Sequence, residues 1–110
     1  MRLVNLTPHR INILDLGGNA QVGSIDPSGQ VARTAATFVA DKEVAGFPTC
    51  RASYGEVTGL PAPEEGVGYV VSGLVAAHPT VAGRGDVFAP GDLVRGADGQ
   101  PVGCKGLKRA

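Results

Sequence analysis

The 110-residue sequence has no Trp, one Met, three Phe and two Tyr, so that aromatics make up only 5% of it. A chain so short of large side chains must build its core from Val, Ala and Leu, and that core is thin. At this length a single domain buries only about two-thirds of the surface its unfolded form exposes. Burial between subunits would add apolar area and cover sheet edges, so a homo-oligomer is expected. Net charge is missing as well, because ten Lys and Arg balance ten Asp and Glu. Without a basic surplus, binding to nucleic acid by neutralising phosphates is disfavoured. No apolar run approaches the ~20 residues needed to cross a bilayer, and Met1-Arg2-Leu3-Val4-Asn5 opens no signal peptide. The expectation is a soluble, cytoplasmic protein that binds neither membrane nor nucleic acid.

Cysteine is scarce: Cys50 and Cys104 each stand alone, outside any C-x-x-C pair. Absent a secretion signal, both are expected as reduced thiols. His9 and His78 show no zinc spacing relative to them, so neither a metal nor another cofactor is expected. Catalytic templates are absent too. There is no G-x-S-x-G elbow, P-loop, H-E-x-x-H or strand-borne G-x-G-x-x-G. An enzyme would have to use His9 or His78 as a base brought to its nucleophile by the fold.

What the chain does have is 43% hydrophobic residues, too many for a disordered protein, and 17 Gly and 8 Pro set singly between apolar runs. Val, Ile and Thr supply 23 residues, while long amphipathic helical stretches are missing. That pattern favours strands and turns. Strands are expected at Arg2 to Leu6, His9 to Leu14, Gln21 to Ile25, Val31 to Ala40 and Thr49 to Thr58. The alanines of Val31 to Ala40 leave a helix open there. Gly55 suggests a bulge or a close backbone approach. Leu60 to Gly66 reads as a rigid proline loop and Val67 to Ser72 as a buried strand. Ser72 would cap one short helix, Gly73 to His78, ended by Pro79. Asp86 to Phe88 is extended, Ala89-Pro90-Gly91-Asp92 a turn, and Leu93 to Cys104 a hairpin with Asp98-Gly99 at its tip. The basic tail Lys105 to Arg109 is expected to fray. Residues 1–110 thus form one mainly β domain: a small barrel or sandwich of about eight short strands with one short helix.

Several residues carry candidate chemistry. Thr7-Pro8-His9-Arg10 joins a hydroxyl, an imidazole and a guanidinium, a set that could hold an anion or simply line a solvated turn. Tyr54-Gly55-Glu56 would place a stacking ring and a carboxylate on one strand face, unless Tyr54 is core and Glu56 surface. Arg33, Arg84 and Arg95 could converge on phosphate or form surface ion pairs with Asp26, Asp86 or Asp92. Glu64-Glu65 reads as a solvated charge pair.

Taken together, Asn5-Leu6-Thr7-Pro8-His9, Pro27-Ser28-Gly29 with Ala32-Arg33, Tyr54-Gly55-Glu56-Val57 with Leu60-Pro61-Ala62-Pro63, Tyr69-Val70-Val71-Ser72 and Asp86-Val87-Phe88-Ala89-Pro90-Gly91 resemble a family of small uncharacterised phage and prophage proteins. The resemblance covers nearly the whole chain and implies a mobile-element origin without an established activity. The stretch Thr34 to Ala45 departs from it. Two functions follow as expectations. One is a non-enzymatic binder of a nucleotide-like small molecule, sequestering an immune signalling nucleotide of the bacterial host. In it His9, Arg10, Arg33 and Arg84 would face phosphates, Tyr54 would stack and Glu56 would read a hydroxyl or amine. The other is a structural or protein-interaction module, such as an accessory virion part or an inhibitor of a host protein.

Overall fold

A computed structural model describes residues 1–110. Eight strands and one short helix follow each other along the chain: β1 (Arg2–Asn5), β2 (Ile11–Leu14), β3 (Gln21–Ile25), β4 (Arg33–Ala40), β5 (Cys50–Thr58), β6 (Val67–Val70), α1 (Gly73–Ala76), β7 (Val87–Arg95) and β8 (Pro101–Arg109). Six strands form one mixed sheet in the order β1-β6-β7-β8-β2-β3. This sheet curls until its two ends meet at a bridge between Asn5 and Pro27, giving a nearly closed barrel. The mainly β fold with one helix is therefore as expected. No helix is long and apolar enough to cross a membrane.

Strand β6, between β1 and β7, is buried along its whole length, as befits a parallel strand covered on both faces. On one face Val67, Tyr69 and the following Val71 meet Leu6, Val75, Val81 and Val87, while Val70 turns the other way to Ile11 and Cys104. Ser72 accepts a hydrogen bond from the Val75 N–H at 3.3 Å and so caps α1, which lays Val75 and Ala76 on the first cluster. Only 16 of 110 residues are buried, the thin core that the scarcity of large side chains foretold.

The barrel closes on Asn5. Its side chain is 1% exposed and uses every hydrogen-bonding site it has. The amide donates to the carbonyls of His9 at 2.8 Å and Ile25 at 3.0 Å, and its oxygen accepts from the Thr7 N–H at 2.9 Å and the Thr7 hydroxyl at 2.7 Å. The Asn5 carbonyl meanwhile accepts from the Ser28 N–H and hydroxyl at 3.0 and 2.7 Å. One residue of β1 thereby holds the entry to β2 and the exit of β3.

Two expectations fail in the C-terminal third. Ala89-Pro90-Gly91-Asp92 is no turn: β7 runs straight through it, with Pro90 opposite Leu107 and Asp92 opposite Lys105. Glycine is required at that point because a Cβ on Gly91 would collide with the Lys105 carbonyl across the pair. For the same reason Lys105 to Arg109 does not fray. These residues continue β8, which pairs with β7 on one side and β2 on the other. The expected hairpin tip at Asp98-Gly99 is present, with Gly99 at φ 80° and the Gly96 N–H donating to the Gln100 carbonyl.

The other two strands leave the barrel. β4 and β5 form a separate antiparallel hairpin whose residues are almost all exposed. The radius of gyration, 16.4 Å, exceeds the roughly 13 Å of a compact domain this long, and the molecule measures 50 × 39 × 24 Å. The hairpin is an arm.

Replacing Asn5 by Ala removes the bonds that tie the His9 and Ile25 carbonyls to β1 and strands the Thr7 N–H at the barrel seam. The His9 carbonyl keeps only the Thr7 hydroxyl at 3.1 Å. The expected cost is about 3 kcal/mol, a fall in Tm on the order of 10 °C or more by circular dichroism. Asn5→Asp should fare no better, since it keeps the acceptors, loses both donors and sets a carboxylate against two carbonyls.

Candidate functional site

The expected site residues are scattered. His9 and Arg10 stand on the rim of an open cleft of about 830 Å³ between the start of β2 and the β7–β8 end of the barrel. Arg33 borders a second cleft of about 360 Å³ beside α1, and Thr7, Pro8 and Ser72 form the ridge shared by the two. Three candidates thus lie around one concave region. The Thr7 hydroxyl, however, is spent on Asn5 and not free to hold an anion. Arg10 is exposed and already engaged, donating to the Ser24 hydroxyl at 2.8 Å and lying 3.4 Å from Asp26.

Arg84 does not join them. It is half-buried and grips Asp86 with two parallel hydrogen bonds, Nε to Oδ1 at 3.0 Å and Nη2 to Oδ2 at 2.7 Å, and Nη2 also donates to the Pro61 carbonyl at 3.1 Å. The fork fills both carboxylate oxygens and ties the proline loop to the start of β7. Its hydrogen bonds to Asp86, which outweigh the upward push of burial, together with its positive charge hold the carboxyl below its ordinary range. Of the alternatives open in the sequence, the ion pair is the one formed.

Tyr54 and Glu56 belong to the arm, and they do not share a face. Thr34 pairs with Val57 and Ala36 with Tyr54, so β5 carries one extra residue against Ala35. The bulge suspected at Gly55 is there. It shifts the alternation by one, placing Glu56 with Gly55 opposite Ala35 and Tyr54 on the other face with Val57.

His78 could be read as a base, but its ring is fully occupied. Nδ1 accepts from the Thr80 N–H at 3.2 Å, and that donor assigns the proton to Nε2, which lies 2.9 Å from the Gly55 carbonyl. The imidazole pins the bulge of the arm to the end of α1. Burial pushes the Cys104 thiol up, away from thiolate chemistry, while Cys50 is free and exposed on the arm. Three or more His, Cys, Asp or Glu side chains nowhere gather as a metal site would require.

The arm itself holds what the sequence did not advertise. Cross-strand partners share a face, so Ala40 with Cys50, Phe38 with Ala52, Ala36 with Tyr54 and Thr34 with Val57 make one face with no charged residue. Phe38 is 73% and Tyr54 50% exposed on it. Arg33, Asp41, Arg51 and Glu56 fall on the opposite face. At the tip, Val44 and Phe47 exchange backbone hydrogen bonds of 2.9 Å around Ala45 and Gly46, both at positive φ as in a type I′ turn. Val44 and Phe47 are themselves exposed there. The period-2 pattern Ala36-Phe38-Ala40 was the available signal, but alanine blurred it.

Neither a protein-family model, nor a curated protein, nor a solved structure matches the chain.

Two outcomes check these assignments. Arg84→Ala or Asp86→Asn should cost about 1 kcal/mol at neutral pH. Because Asp86 titrates lower in the folded protein than the ordinary value near 4, the pair's contribution is present above that value. It is lost as pH falls through the lower folded-state value, so acid unfolding curves of wild type and Asp86→Asn should converge there. His78→Ala should speed amide exchange in β5 around Gly55 while leaving β6 and β7 protected.

Proposed function

We propose that the protein is a non-enzymatic assembly module that works as a homo-oligomer and engages other proteins through its hairpin arm. The observation that carries this reading is the uncharged face of the arm, with Phe38 and Tyr54 held in solvent beyond the barrel and Val44 and Phe47 at its tip. A two-stranded hairpin with both faces in water is marginal by itself. Clustered exposed apolar side chains on a projecting element are the usual mark of a protein contact. An accessory virion part or an inhibitor of a host protein, in a bacterial cytoplasm, accords with the resemblance to phage and prophage proteins.

A second reading, a binder of a nucleotide-like ligand, draws on the paired clefts, whose volumes fall in the range of small-molecule sites. It would rest on His9, Arg10 and Arg33 alone. Arg84 is committed to Asp86, and Tyr54 and Glu56 lie on opposite faces of the arm.

The experiment that separates the two uses one protein preparation. Immobilised wild type is expected to retain a partner from host lysate at least tenfold better than F38S/F47S, with both chains equally folded by circular dichroism. Linear and cyclic nucleotides are expected to leave Tm unchanged. A ligand at 100 times its Kd adds about 2.7 kcal/mol, a rise on the order of 10 °C. Such a rise for one nucleotide, lost in R33A, would replace the assembly reading with the ligand reading.

A further inference from the structure

We infer that two copies of this chain join by antiparallel pairing of their β4 strands about a two-fold axis through Thr37, making one four-stranded sheet from two arms. This rests on the assembly reading and supplies its first partner, a second copy.

The two edges of the arm are unlike. The β5 edge carries Arg51 and Glu56 and is broken by the bulge at Gly55, devices that deter strand addition. The β4 edge has none: from Thr34 to Ala40 it offers seven residues, TAATFVA, with no charge, proline or glycine. Its backbone is also poised. The Asp41 N–H donates across the hairpin to the Thr49 carbonyl at 2.9 Å, which sets the alternation along β4. Asp41, Val39, Thr37 and Ala35 turn their N–H and C=O groups toward β5, and Ala36, Phe38 and Ala40 turn theirs to the open edge.

The sequence of that edge complements itself. Reading RTAATFVAD from Arg33 to Asp41 against a second copy, with Thr37 opposite Thr37, sets Ala36 against Phe38 and Ala35 against Val39, small against large in both pairs beside the axis. It also sets Arg33 against Asp41 at both ends, and these charges lie on the same, polar face. Ala36 and Phe38 are then a hydrogen-bonded pair, using the very groups that face the open edge. A register displaced by one residue would oppose outward-facing backbone groups to inward-facing ones. One displaced by two would part Arg33 from Asp41. In this arrangement the two barrels lie at opposite ends of the joined arms, each beside the tip of the partner's arm. The product is a sheet of four strands, where an independent sheet becomes stable, with an unbroken uncharged face twice as wide as one arm offers.

Thr37 on the axis faces its symmetry mate as a non-hydrogen-bonded pair, with Cα atoms about 4.5 Å apart, inside the range a disulfide spans. The test uses the full chain in a C50S background. By light scattering, wild type is expected at the mass of two chains. T37K, which opposes two ammonium groups on the axis, is expected at the mass of one, with an unchanged circular dichroism spectrum. R33D and D41R should each shift the dimer constant at least tenfold toward monomer, and R33D/D41R together should restore it. Under mild oxidation T37C should cross-link, A35C should not, and A35C/V39C should. A wild type that stays monomeric, or a dimer indifferent to T37K and to the charge exchange, would overturn the pairing. If partner capture still depends on Phe38 in that case, the assembly reading stands and only its dimer is wrong. If capture is also indifferent to F38S/F47S, both fall.

Discussion

The barrel depends on a single buried amide. Its end strands, β1 and β3, share no ladder beyond one bridge, where the Ser28 N–H meets the Asn5 carbonyl, so backbone pairing closes the seam at a single point. Asn5 closes it by giving two hydrogen bonds to carbonyls of β2's entry and β3's exit and taking two from Thr7. Inside a low-dielectric seam such a network is strong when complete and costly when any member is missing. Much that matters lies downstream of it. The ridge between the two clefts begins at Thr7, and Ala32, which launches the arm, donates its N–H to the Leu6 carbonyl next to the seam at 3.0 Å.

The remaining polar residues show the same economy. Arg84 and Asp86 lock the proline loop to β7, and His78 locks the arm's bulge to α1. Arg84 and His78, whose chemistry would suit phosphate binding or catalysis, are thus occupied in holding connections in place. The apolar surplus goes the other way. With so few large residues, the molecule nonetheless leaves two of its three Phe in solvent on one arm. The core could have used them, and their placement on a projecting hairpin argues that association, not internal stability, is what they serve.

Much of the framework was legible residue by residue. Ser72 before Gly73 announced the helix cap, Asp98-Gly99 the hairpin tip, and Gly55 the bulge, because each signal is a local steric or hydrogen-bonding preference. Pro90-Gly91 misled for an equally physical reason. The pair is turn-forming in isolation, but Gly91 is needed so that β8 can approach, and the strand that demands it lies well along the chain. The tail Lys105 to Arg109 looked solvated by composition, yet its strand partners are β7 and the distant β2. Tyr54 and Glu56 part because the bulge at Gly55 inserts one residue into β5 and reverses the alternation between them.

The sequence by itself determined the β-rich class, most turn positions, charge neutrality and the want of any catalytic template. These are properties of composition and of neighbours a few residues apart. Only the tertiary structure decided that Thr7, Arg84 and His78 are spent on architecture and that the region from Arg33 to Thr58 stands off the barrel as an arm. Thr7 and Arg84 find their first partners, Asn5 and Asp86, two residues away. The links that tie distant segments together are hydrogen bonds between groups about 20 residues apart or more, such as Asn5 to Ile25, His78 to Gly55 and Arg84 to Pro61. Which partner a polar group finds at that range is settled by the packing of the whole chain, and no local preference encodes it.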